Sequence, residues 1–191
     1  PVATATPVPT ATPVPTATPS SAGPGIQFGP IDISLDHNPD SGYIPAYASG
    51  VELRNAVVEA TFVPPHYDPT RPWSSGFLLR RTSGSELHAI VISSSGYWHH
   101  YIRTETGHGA IEIASEYSSH IATGEGGTNH VRVIALDDLG WLFINGNYAA
   151  ELDLSGWSYP GNVTAIGSWW ASHEYAGEST GVTGFTVRSL Q

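Results

Sequence analysis

Two glutamates four residues apart, in Glu112-Ile113-Ala114-Ser115-Glu116, come nearest in this chain to a catalytic spacing. Side chains alternate along a strand, so Glu112, Ala114 and Glu116 are expected on one face and Ile113 in the core. Two carboxyl groups about 5 Å apart, with pKa values pushed in opposite directions, can cleave a glycosidic bond with retention. The plainer expectation is a pair of solvated glutamates on an exposed strand face, because charged side chains mostly sit outside. We therefore read no glycosidase and assign no catalytic residue.

Asp36, Asn38 and Asp40 place oxygen ligands at i, i+2 and i+4, as a calcium loop does. The glycine of such a loop comes one place late, at Gly42, and Tyr47 stands where the bidentate glutamate belongs. Asn38-Pro39-Asp40-Ser41-Gly42 is equally a turn with no ligand, so no cofactor is expected and calcium is the alternative. The nine histidines are scattered and contain no His-x-His pair. His88, His99, His108, His120, His130 and His173 could bind zinc only by converging in space. A Ser/His/Asp arrangement has no Gly-x-Ser-x-Gly elbow behind it.

The aromatic residues carry more. Tyr97, Trp98, Tyr101, Trp141, Trp157, Tyr159, Trp169, Trp170 and Tyr175 are dense for a domain of this size. Flat aromatic rings stack on sugars and anchor protein partners, with polar neighbours supplying hydrogen bonds. Period two sorts 97–103 into one face with Tyr97, His99, Tyr101 and Arg103 and another with Trp98, His100 and Ile102. From a regular strand only one ring of Trp169-Trp170 can point inward, which leaves the other near the surface, beside His173. Tyr97, His99, Tyr101, Arg103, Trp169, Trp170 and His173 are thus the expected glycan or partner contacts.

What positions them is a series of short strands. Apolar and polar residues alternate at 31–36, 57–63, 76–81, 87–92, 97–103, 110–117, 129–136, 141–144, 148–154, 163–169 and 184–190, between Gly, Pro, Asn, Asp and Ser. Asn145-Gly146 is the strongest hairpin signal, since a type I′ turn needs positive φ at both central residues. No segment carries a helical stripe with caps. The expected fold is all-β, a two-sheet antiparallel sandwich of jelly-roll type over residues 25–191.

Residues 1–24 form a separate stalk or linker. The first twenty contain six Pro and six Thr with no charge, and Ala-Thr-Pro-Val-Pro-Thr runs twice from Ala5. Proline forbids helix and ladder there, so a polyproline-II spacer of about 3.1 Å per residue is expected. Such composition carries O-linked sugar, which makes Thr4, Thr6, Thr10, Thr12, Thr16 and Thr18 the expected sites. Asn162-Val163-Thr164 is an N-glycosylation triplet. The sequence starts within the repeat, as a processed product or a fragment would. The chain lacks cysteine, methionine and lysine, and carries a formal charge of −10. No basic cluster favours nucleic acid or an anionic membrane, and no apolar run is long enough to span one.

Two stretches resemble a known superfamily. Val131 to Leu136, the turn at Asp137-Asp138, Trp141 to Tyr148 around Asn145-Gly146, and Ala150 to Leu154 are similar to the hairpin region of concanavalin A-like lectin/glucanase domains. Ala165-Ile166-Gly167 with Gly184 to Arg188 is similar to the last two strands of that superfamily and of laminin-G-like modules. The resemblance implies a jelly-roll sandwich, often with a sugar-binding face. Its laminarinase-type glucanases carry Glu-x-Asp-x-Glu on one strand, and Ala114 stands here in place of the middle acid.

Three functions are therefore in view. The first is a secreted, non-catalytic structural or adhesive module whose copies assemble head to tail, with Ile26, Gln27 and Phe28 docking on a neighbour's sheet edge. The second is a lectin-like module that binds glycans. The third, a glycosidase using Glu112 and Glu116, ranks last.

Overall fold

A computed structural model describes residues 25–38, 43–66, 68, 71–82, 86–104, 109–170 and 177–190. Residues 1–24, with the six threonines expected to carry sugar, lie outside them, as do Asp40 and His173. The described chain is all-β and builds two antiparallel six-stranded sheets.

The first sheet has the order β1 (Gly25–Asp36), β12 (Ser179–Ser189), β3 (Ala56–Val63), β8 (Asn129–Leu136), β9 (Leu139–Ile144) and β10 (Asn147–Asp153). The second has the order β2 (Ala46–Leu53), β11 (Gly161–Ile166), β4 (Ser74–Arg81), β5 (Leu87–Ser93), β6 (Tyr97–Arg103) and β7 (Ile111–Tyr117). The expected hairpin is present: Asn145 and Gly146 take φ of 51° and 80° and join β9 to β10. β8 shows how the pattern becomes a face, with Val131, Val133 and Ala135 inward and His130, Arg132 and Ile134 outward. Phe62 of the first sheet meets Phe77 of the second edge-on at 5.3 Å, and Phe77 stacks on Phe185 at 6.0 Å. Each ring buried in this way contributes about 1.5–3 kcal/mol relative to exposure.

The two outward faces differ in kind. On the first sheet Glu59 gathers Arg188 at 3.0 Å, Arg132 at 3.9 Å and His130 at 4.0 Å. That part of the face is solvated and charge-paired, and Ile134, Trp141 and Phe143 stand half-buried on the same side. On the second sheet the outward residues Leu78, Leu87, Ala89, Val91, Tyr101 and Ile166 form a second apolar cluster, partly covered by Trp169.

Several expectations change. β2 is an additional strand, hidden in an Ala/Ser/Gly-rich run that bends at Gly50, where φ is 74°. β11 ends at Ile166, so Trp169 and Trp170 lie beyond the strand and are not alternating strand residues. Ile26, Gln27 and Phe28 are already occupied. They belong to β1, pair with β12 of the same chain, and seat Phe28 against Tyr47 and Phe185 at 6.2 and 5.3 Å. Docking on a neighbour through them requires exchanging a strand already in place. Asn162 is the second residue of β11 and pairs with Glu52 of β2 and Arg81 of β4.

Candidate glycan-binding face

The site is built on β6, whose outward residues are Tyr97, His99, Tyr101 and Arg103, as period two requires. Trp98 and His100 are buried on the inner side. β7 pairs with β6 as Trp98↔Glu116, His99↔Ser115, His100↔Ala114 and then Tyr101↔Glu112. The interruption leaves Ile113 as the extra residue of a bulge. Ile113 is therefore 45% exposed instead of entering the core.

The bulge decides the fate of the two glutamates. Glu112 joins the outer face with His99 and Tyr101. Glu116 lies opposite Trp98 on the other face and lines a cavity of about 190 Å³ with Tyr148 and Ala149 of the first sheet. The expected shared face does not form, so these carboxylates cannot flank one glycosidic bond as a retaining pair.

Glu112 is held from several sides. His99 Nδ1 is 2.9 Å from Oε2, the Ser115 hydroxyl donates to Oε1 at 2.8 Å, and the Tyr101 hydroxyl also donates to the carboxylate. Donation from Tyr101, then Ser115 and His99, holds its carboxyl below the usual range. Burial, and then the Glu112 carboxylate, push the Tyr101 phenol above its ordinary value. The Trp170 indole is linked to Tyr101 by a hydrogen bond in which only its N–H can donate. Trp170 stands edge-on to His99 at 4.9 Å and to Tyr101 at 6.1 Å, and remains 50% exposed.

The segment after β11 carries both indoles to this face. Gly167 N–H donates to the Pro45 carbonyl at 2.9 Å, and Trp169 N–H donates to the Ser74 hydroxyl at 2.8 Å. Trp169 then tilts over Tyr101 at 5.4 Å. Tyr97 extends the surface beyond His99 and meets Tyr117 edge-on at 5.7 Å. The structure thus brings Tyr97, His99, Tyr101, Trp169 and Trp170 together and adds Glu112, with Arg103 at the far end of β6. Glu112 was missed as a binding residue because its face depends on a bulge, and no sequence period shows one.

Ser93, His99 and Glu112 are aligned as nucleophile, base and acid would be, with His99 Nε2 3.5 Å from Ser93 Oγ. The serine is not free to act. Its hydroxyl donates to the Tyr97 carbonyl at 3.1 Å, and the adjacent Ser94 N–H, the natural oxyanion donor, is bound to Trp73 O at 2.9 Å. At the proposed calcium loop Asp36 is exposed and accepts from the Ser34 hydroxyl at 3.3 Å. Among the described residues no group of three His, Cys, Asp or Glu is placed to hold a metal.

No protein-family model and no curated protein sequence matches this chain. Solved structures do. A carbohydrate-binding module of family 66 from Bacillus subtilis superposes with a TM-score of 0.59 at 11% identity, covering 75% of this chain and 81% of that one. An endo-β-1,3(4)-glucanase of glycoside hydrolase family 16 gives 0.54 at 10% identity, covering 83% and 73%. The β-glucanase of Bacillus licheniformis gives 0.50 at 10%, covering 84% and 78%. The fold is the concanavalin A-like jelly roll. At these identities the likeness concerns the jelly roll alone, which hosts binding modules and hydrolases alike.

Proposed function

We propose that this domain is a non-catalytic, lectin-like carbohydrate-binding module that works outside the cell. Its ligand lies across the outer face of the second sheet, with Trp170 as the stacking platform. The observation that carries this reading is the half-exposed indole beside a carboxylate fixed by Tyr101, Ser115 and His99. An apolar plate next to oriented hydrogen-bonding groups matches the alternating C–H and O–H surface of a sugar ring. The separation of Glu112 from Glu116 supports binding without cleavage. Trp170→Ala should weaken retention on a glycan panel by about 1.4 kcal/mol or more, tenfold in Kd. Glycans that bind the intact domain and ignore this change contradict the placement.

A second reading, self-association into a surface layer, has one observation in its favour. Edge strand β7 exposes Ile111, Ile113 and Tyr117, and its outer edge has no strand partner among the described residues. Sedimentation across a concentration series tests it. Assembly that is abolished by Ile113→Lys supports the reading, and a monomer at all concentrations rejects it.

A further inference from the structure

The chain has seven arginines and no lysine, and five of the arginines are engaged. Arg54 faces Asp137 and Asp138, Arg71 holds Glu178, Arg132 and Arg188 share Glu59, and Arg80 donates to backbone carbonyls. The side chains of Arg81 and Arg103 form no ion pair or hydrogen bond among the described residues. They stand at the ends of β4 and β6 on either side of β5, so two strand spacings, about 10 Å, separate their backbones. Both line one groove of about 510 Å³, with Leu78 and Leu87 in its floor and Tyr43 and Trp169 at its sides. Of the described carboxylates, Glu86 precedes β5 and Glu112 lies on β7 beside β6. Glu86 is buried, with one oxygen accepting from the Thr82 hydroxyl and the other without a partner among the described residues, and both Glu112 oxygens are taken by Ser115 and His99.

We propose that this groove takes the carboxylates of an acidic saccharide, so that the glycan held on the Trp170 face contains uronic acid. The proposal rests on the glycan-binding reading above. In a protein of net charge −10, two cations with no ion pair among the described residues, beside apolar Leu78 and Leu87, select an anion locally that the whole molecule repels. The planar guanidinium fork fits a carboxylate in two parallel bonds. Leu78, Leu87 and the Trp169 ring suit the C–H face of the sugar that carries it. Trp169 touches both the groove and Tyr101, so one oligosaccharide can run from Arg81 and Arg103 to Trp170.

The test is calorimetry on the intact domain with oligogalacturonate, oligoguluronate, a neutral mixed-linkage gluco-oligosaccharide and a sulfated galacto-oligosaccharide. Wild type, Arg81→Gln/Arg103→Gln and Trp170→Ala are compared, with circular dichroism to confirm folding. The expected result is uronate binding that falls tenfold or more in the double variant and weakens as salt rises to about 0.3 M. If neutral sugar binds through Trp170 while the double variant changes nothing, this inference is overturned and the glycan-binding reading stands. A preference for the sulfated probe overturns the carboxylate assignment. If no saccharide binds, both readings fall.

Discussion

Arg80 illustrates how much one residue can organise. It takes φ of 55°, is 1% exposed, and aims its guanidinium at the carbonyls of Arg54, Leu154, Trp157 and Asp137. The Trp157 indole returns a bond to the Arg80 carbonyl at 3.2 Å. Gly161 lets β11 come close there, since a Cβ would lie 2.4 Å from the Arg80 carbonyl carbon. Arg80→Lys keeps a charge but cannot reach several carbonyls in one plane, so it should destabilise by roughly 2–4 kcal/mol. A urea midpoint equal to that of wild type contradicts this role. Glu112 is different, being 40% exposed at its side chain, so Glu112→Gln should cost under about 1 kcal/mol of stability while weakening glycan binding severalfold. The aromatic face of β6 was legible from period two. Arg80's role was not, because nothing local in the sequence marks an arginine as buried.

At the scale of elements, the β7 bulge carries the difference between expectation and structure. Deleting Ile113 removes the extra residue and keeps both Glu112 opposite Tyr101 and Glu116 opposite Trp98. The deletion should therefore fold and still bind. Had β7 been regular, the same deletion would turn half the strand to the wrong face and unfold the edge, which thermal melting would reveal.

β5 and β6 are also joined inside the sandwich, where His88 Nδ1 lies 2.9 Å from His100 Nε2. His88 Nε2–H donates to Trp157 O at 3.1 Å, which makes His88 Nδ1 the acceptor of the His100 proton. Burial lowers the pKa of His88 to about 4 and that of His100 to about 3, the neighbouring His88 adding to the latter. Between these values and about 6.5 the unfolded chain binds more protons than the folded one, so stability rises with pH across that window. The contribution is fully present above about 6.5 and is lost as pH falls toward 4 and then 3. Ring nitrogen resonances of His88 and His100 should keep the neutral pattern at pH 5. Protonation of either ring near pH 6 overturns this account.

For the whole molecule, the contrast between two outward faces matters most. The first sheet's outer face is charge-paired around Glu59, while the apolar and aromatic face of the second is only partly covered. The sandwich itself was readable, because alternation, the Asn145-Gly146 turn and the absence of helical stripes all point to one architecture. Which face stays open was not readable, since it depends on how residues 167–170 carry Trp169 and Trp170 from the end of β11 to Tyr101 and His99 of β6. The path of Trp169 and Trp170 is fixed by bonds to Pro45 and Ser74, far away in sequence.

The most direct test of the central claim is a ¹H–¹⁵N titration of the intact domain with a glycan that it retains. The account predicts that the Trp169 and Trp170 indole signals and the Tyr101 and Glu112 amides shift together, with one affinity. Shifts confined to the outer face of the first sheet, or to the β7–β10 cavity beside Glu116, would contradict it.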